Sequence, residues 1–447
     1  MITAANRGVG AELRLLFGLA WPVIIGNLGA VGLWVADTVM VGQFGGAALA
    51  AVALASTWSY GVSVIARGAA KGLDPLVAQA FGRGDRFGAG RSLVHGLWMA
   101  AILSVPVILL HLVGGPGLRL LGQPESLLGL AGSYSVILAV DVPFMLAFAV
   151  LQQFLQALGL MRPSAVAILL GNVLNVGLNL LFMHGLGPLA GMGPLGCAFA
   201  TVFSQVFMLV VLLVLARREL REWWPEGGLR VGRDLAGLWQ VFALGLPVGL
   251  QLAIETWGFQ LAGIMVGWIG EVELAAHAIA LNISTVSFMT PLGIGAAVAT
   301  RVGQLQGAGR DWGLSAVTGI GMGAAVMSLS AILFTLFPAW LGGLYTNDLA
   351  VITMMIVLLP VAGAFQLFDG VQVVSFGVLR GLADVRVPTA INLVAYWGMG
   401  LPLAWALGFP LGLGARGVWM GLVLSLAVVA GLLLLRIRAL HRGRGAP

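Results

Sequence analysis

The chain has 447 residues, 60% of them hydrophobic and 9% charged, with a mean hydropathy of +1.01. Soluble domains carry about 25% charged residues, so this chain has too few to cover a water-facing surface and is predicted to be a polytopic membrane protein. Its net charge of +6 is scattered among loops rather than massed in a patch, which argues against nucleic acid as a partner. The single cysteine, Cys197, excludes a disulfide framework within the chain and is expected to be a buried free thiol.

Apolar runs long enough to cross a bilayer, roughly 20 residues, fall at 13–43, 46–70, 92–113, 127–157, 163–186, 193–216, 237–268, 271–297, 313–337, 350–379, 389–409 and 415–437. No short apolar core with a small-residue cleavage site precedes them, so no cleavable leader is expected. The longest polar stretch, ARRELREWWPEGGLRVGRD, separates the sixth run from the seventh. The predicted organisation is an N-lobe over 1–215, a cytoplasmic inter-lobe linker over 216–236, and a C-lobe with a basic cytoplasmic tail over 237–447. With the N-terminus inside, nineteen arginines fall on the cytoplasmic side, and only Arg119 and Arg416 fall outside. Lys and Arg favour the cytoplasmic side, so both termini are expected there.

The two halves repeat. At an offset of 225, Val77, Gln79, Gly82 and Gly84 meet Val302, Gln304, Gly307 and Gly309, and Pro22, Gly42, Ala50 and Pro163 meet Pro247, Gly267, Ala275 and Pro388. Six spans per half is an even number, so the copies enter the membrane in the same orientation, as parallel repeats. The predicted fold is all-α, with twelve transmembrane helices in two parallel-repeat six-helix bundles around a central cleft. The abundant glycine, 66 residues, suits close helix approach in a membrane.

Asp141 precedes Pro143 in the fourth run and reads equally as part of a hydrated kink or as a lining residue; three further acids lie deep inside these apolar runs. Asp37 is on the first, Glu255 on the seventh and Asp369 on the tenth. An ionised carboxylate at the centre of a spanning helix costs roughly 2.5–3.5 kcal/mol on insertion scales, so such groups are expected to face a partner, a cavity or an ion. The repeat does not duplicate them: Asp37, Glu255 and Asp369 correspond to Ala262, Ala30 and Phe144. In the first half, Asn175 and Asn179 on the fifth span share one helix face, and Thr201 on the sixth could add a hydroxyl. These side chains read either as oxygen ligands around Asp37 or as interhelical glue. In the second half, Gln251 and Asn282 are candidate cavity-lining residues near Glu255 and Asp369. That carboxylate pair suits a hard monovalent cation such as Na⁺, or a proton, and a structural pair sharing one proton is the alternative. Pro22, Pro247 and Pro360 lie on the spans that carry the acids, where proline is expected to kink a helix. His277 reads more readily as a packing residue than as a proton relay.

No phosphate-binding GxxxxGK[ST] loop is present, nor HExxH, CxxC or GxSxG. An enzyme is therefore not expected, no cofactor is implied, and work must come from an ion gradient. A channel fits less well, because duplicated halves suit alternating access.

Several stretches together resemble the multidrug and toxic compound extrusion (MATE) family, and its NorM-like bacterial branch in particular. They are AWPVII, VADTVMVGQFGGAALAAVALA and DPLVAQAFGRGD, then PLGIGAAVATRVGQLQGAG, FQLFDGVQVVSFGVLRGLADVRVPT and YWGMGLPLAWAL. The resemblance covers essentially the whole chain. It implies an antiporter of the bacterial inner membrane that exports cationic, lipophilic compounds in exchange for Na⁺ or H⁺. Small drug-like cations and membrane lipid would be its partners, and it would function as a monomer. Asp37 matches the family's first-helix acid, Asn175 and Asn179 its fifth-helix polar pair, and Glu255 and Asp369 its C-lobe carboxylates. NorM-like members often carry Tyr four residues before the tenth-helix acid. Phe365 stands there in this chain, keeping an aromatic face without the hydroxyl. A flippase for lipid-linked precursors would share the two-lobed architecture, but it would be expected to show a basic centre where this chain has acids.

Overall fold

A computed structural model describes residues 8–186 and 189–444. In hydrocarbon every backbone polar group must find a partner within its own segment, so apolar runs of this length fold as helices. Among the described residues eleven single helices are long and apolar enough to cross a membrane, and a bent pair makes a twelfth. They are span 1 (Val9–Gly42), span 2 (Gly46–Arg83), span 3 (Arg86–Leu112), span 4 (Glu125–Ala139 with Val142–Ala157), span 5 (Arg162–His184), span 6 (Leu195–Leu215), span 7 (Leu235–Gly267), span 8 (Glu271–Gly307), span 9 (Gly313–Leu336), span 10 (Leu349–Gly381), span 11 (Arg386–Gly408) and span 12 (Gly414–Gly443). One very short pair of strands, Gly185–Leu186 with Leu189–Ala190, follows span 5; otherwise the described residues are helical or irregular.

The spans differ from the sequence reading in two ways. The run at 127–157 is two helices meeting at 50°, with the buried Asp141 at the break and Pro143 just beyond it. Spans 1, 7 and 10 carry Pro22, Pro247 and Pro360 inside continuous helix. Spans 5 and 11, which occupy matching places in the repeat, each contain a π-helical stretch, Leu180–His184 and Val394–Gly400. Such wide turns often mark functional positions in membrane and soluble helices alike.

The chain forms two compact units that are not contiguous in sequence. One is Ile25–Gly249; the other joins the residues up to Ile24 to those from Leu250 onward. The boundaries fall inside spans 1 and 7, two residues beyond Pro22 and Pro247, at equivalent places in the repeat. The polar linker expected at 216–236 lies wholly within Ile25–Gly249. There Arg91 pairs with Asp234 at 2.7 Å, Arg86 with Glu222 at 2.7 Å, and the Trp98 indole donates to the Leu229 carbonyl.

The Ile25–Gly249 unit has one core around Leu73, Leu93, Met99 and Phe154, and a second around Tyr134, Met183 and Cys197. In the other unit, Leu16 and Ala20 of span 1 join a core built on Trp312, Met355, Tyr396 and Trp419. Span 10 is tightly held there. A Cβ on Gly377 would lie 2.3 Å from the Gly295 carbonyl oxygen of span 8, so the two backbones touch and span 10 cannot rotate. That contact helps to fix which face of span 10 carries Asp369.

Candidate functional site

Each unit gathers one set of acids and amides. In Ile25–Gly249, spans 1 and 5 run side by side in the same direction. Asn172 Nδ2 donates to the Gly29 carbonyl at 2.7 Å, and two turns further on Asn179 Nδ2 donates to Asp37 Oδ1 at 2.5 Å. Asn179 Nδ2 also donates to Asn175 Oδ1 at 2.9 Å. Both amides are fully buried, whereas Asp37 is half-buried. Asn179 Oδ1 and Asn175 Nδ2 have no protein partner. Burying unpaired polar atoms is costly, so this end of the ladder has capacity for another ligand. The sequence points to Asp37 and both asparagines, and the structure brings all three together.

Two further residues join this set. The Cys197 thiol is within hydrogen-bonding reach of the Asp37 carboxylate, and the buried Tyr134 hydroxyl donates to Cys197 Sγ at 3.4 Å. Thr201 donates to the Cys197 carbonyl one turn back along its own helix and interacts with Tyr134. Its hydroxyl therefore reaches Asp37 only through neighbours. Sequence reasoning missed Tyr134. The available signal was weak: a single tyrosine in the otherwise apolar and small-residue stretch LAGSYSVILA.

In the other unit, Glu255 Oε1 accepts two amide hydrogen bonds, from Gln372 Nε2 at 2.9 Å and from Asn392 Nδ2 at 2.8 Å. Asn392 Nδ2 also lies 3.5 Å from the Gln251 backbone carbonyl, so Gln251 contributes its main chain there. Asp369 is buried one turn before Gln372 and is close enough to Glu255 for the two charges to interact. Tyr396, in the π-helical stretch of span 11, interacts with both acids and with the Gln372 side chain. Gln372 and Asn392 turn their N–H groups to Glu255, which leaves Gln372 Oε1 and Asn392 Oδ1 buried without a protein partner. Two carboxylates beside spare amide oxygens form a donor set that a hard cation or a proton can use. Among the described residues no group of three or more His, Cys, Asp or Glu side chains could hold a metal ion.

Aromatic rings line one side of this second set. Phe365 is buried and packs edge-on against Phe259 at 5.6 Å and Trp419 at 5.8 Å, and Phe259 also meets Tyr396. Phe365 carries no hydroxyl, but Tyr396 brings a phenol to the same carboxylates from span 11. His277 accepts a hydrogen bond from the Trp419 indole at 3.1 Å. Asn282 accepts from the Tyr345 hydroxyl at 2.9 Å.

A repeat of six spans that holds a separate set of buried acids in each copy is an arrangement found among membrane transporters. The MatE family model matches residues 22–181 and 247–406, and the second match begins and ends 225 residues after the first, at the offset seen in the sequence. The chain belongs to the MatE family, whose members are membrane transporters and not enzymes. It is 36% identical over 433 residues to "Probable multidrug resistance protein NorM" of Pseudomonas putida, covering 94% of this chain and 92% of that protein. It is 34% identical over 435 residues to the protein of the same name from Agrobacterium fabrum, covering 95% and 93%. Its fold matches the solved eukaryotic MATE transporter AtDTX14 with a TM-score of 0.87 and 24% identity, covering 96% of each chain. It also matches an outward-facing multidrug resistance MATE transporter, with a TM-score of 0.89 and 20% identity, covering 99% of this chain and all of that one.

Proposed function

We propose that this chain is a drug efflux antiporter of the bacterial inner membrane that expels cationic, lipophilic compounds in exchange for Na⁺ or H⁺. The names of its multidrug resistance relatives support the efflux reading. The observation that carries the coupling is the Glu255–Asp369 pair, with its two amide donors and their spare oxygens. A cationic drug and a coupling ion compete for these carboxylates: either neutralises the pair, and the two together would leave an excess positive charge in a low-dielectric site. Ion arrival from outside displaces the drug by charge competition, and the ion-loaded form returns inward by alternating access. Asp37 with Asn175 and Asn179 serves as a second ion-responsive site. No cofactor takes part, and one copy of the chain suffices. Both termini are cytoplasmic by the arginine count, and both lie outside the described residues.

The test is fluorescent-cation efflux from proteoliposomes with Na⁺ and pH gradients imposed separately. The expected result is drug movement driven by at least one gradient and lost in Asp369→Asn. Full gradient-driven transport in both Glu255→Gln and Asp369→Asn would remove the C-terminal site from the mechanism. Efflux that responds to neither gradient would remove ion coupling altogether.

A further inference from the structure

One buried ion pair belongs to neither set of acids. Glu12, in the first turn of span 1, accepts at Oε1 from Arg301 Nε at 3.0 Å and from Ser315 Oγ at 2.5 Å. Arg301 is close to the end of span 8, and Ser315 is in the first turn of span 9. The Glu12 and Arg301 side chains are only 3% and 9% exposed. Isolating an acid and a base from water is expensive, and apolar residues of equal volume often stabilise as well or better. A pair kept in such a place is better explained by the geometry it fixes than by stability. Here it ties three chain segments at a single carboxylate oxygen.

The repeat shows that the pair is an addition. At the offset of 225, Glu12, Arg301 and Ser315 correspond to Gly237, Leu76 and Gly90. The matching stub of span 7 is held by close backbone approach: a Cβ on Gly245 would fall 2.4 Å from the Ala69 carbonyl oxygen. The stub of span 1 belongs to the same compact unit as Arg301 and Ser315, but the rest of that helix, including Asp37, belongs to the other unit. Glu12 is 25 residues before Asp37, roughly 37 Å along a helix, and its charge is offset at contact by Arg301. The pair cannot act on Asp37 through its charge.

We propose that Glu12, Arg301 and Ser315 are positioning residues, forming a fixed anchor that holds the cytoplasmic stub of span 1 to spans 8 and 9 throughout the transport cycle. Rearrangement of the Asp37 segment then begins beyond Ile24, and its position is referred to the unit that carries Glu255 and Asp369. The anchor gives ion occupancy of one set of acids a mechanical reference to the other. Without it the stub drifts, and ions cross without a matching drug molecule. This rests on the transport reading above.

The experiment measures drug and ion fluxes together in proteoliposomes. Glu12→Ala and Arg301→Leu are expected to lower the drug-to-ion ratio at least about fivefold, the low end of coupling between sites, with the apparent KM for drug unchanged. Glu12→Gln keeps an acceptor for both donors and is expected to retain most of the ratio. A purely structural role would lower both fluxes in proportion to the folded protein and leave the ratio alone; that outcome overturns the proposal. The double variant Glu12→Cys with Ser315→Cys tests whether the anchor is static. Bridging the two thiols with a short bifunctional reagent should restore the ratio, because an anchor never opens. Loss of all transport on bridging would show a gate that must open, and would overturn the proposal too. A wild-type chain that moved no drug under any gradient would overturn the transport reading itself, and the anchor with it.

Discussion

The two sets of buried acids, built on copies of one six-helix plan, differ in number, depth and surroundings. Asp37 is a single acid five residues from the end of span 1 at Gly42, whereas Glu255 is twelve residues from the end of span 7 at Gly267. Along a helix these are roughly 8 Å and 18 Å from the end. Asp37 faces an asparagine ladder, a thiol and a phenol; Glu255 faces a second acid, two amides and a phenol. Duplication therefore supplied helices and their packing, while each copy acquired its own chemistry. A lone acid can be neutralised by one proton or one cation. A pair of acids can hold a shared proton, a monovalent ion or a cationic drug, which makes the second site the natural place for competition.

Removing the pair should break this contrast most severely. Glu255→Gln with Asp369→Asn is expected to lower gradient-driven efflux by about a hundredfold or more, equivalent to roughly 2.7 kcal/mol, as read from initial rates in proteoliposomes. Asp37→Asn should cost less, about tenfold in Vmax, with drug affinity measured by equilibrium binding nearly unchanged. If the losses came in the opposite order, the N-terminal acid would be the principal site. Tyr396→Phe removes one hydroxyl and its hydrogen bond, a change of about 0.5–1.5 kcal/mol. The ion concentration giving half-maximal efflux should rise about three- to tenfold, and unchanged ion dependence would show that the phenol does not stand in for the hydroxyl absent at Phe365. Asn282→Ala should stay within about twofold of wild type in the same assay, since its partner is Tyr345 rather than an acid.

Hydropathy and the offset of 225 made the spans and the repeat legible, because both follow from composition along one dimension. The 50° bend of span 4 was not legible: the run ILAVDVPF is apolar on both sides of the break, and Pro143 resembles Pro22, Pro247 and Pro360, through which the helix continues. Asp37, Glu255 and Asp369 stood out because charge is rare in such runs. Their partners Gln372, Asn392 and Tyr396 did not, although two signals were available. Gln372 is one turn after Asp369. Asn392 and Tyr396 are four residues apart on span 11, as Asn175 and Asn179 are on span 5, but in a different register. Cys197 and Tyr134 reach Asp37 only through the packing of spans 1, 4 and 6, which no pattern along the chain encodes.

The placement of Glu12 also bears on how the molecule is made. Its base, Arg301, follows 289 residues later. At about 5–20 residues per second of synthesis, the acid waits for roughly 15–60 s before its partner exists. During that interval Glu12 lacks the Arg301 guanidinium that it pairs with in the folded chain. Assembly of this protein therefore includes a step that no early segment can complete alone: the oldest helix is claimed by residues from the second half of the chain, and a chain truncated before Arg301 leaves its first helix without that ionic partner.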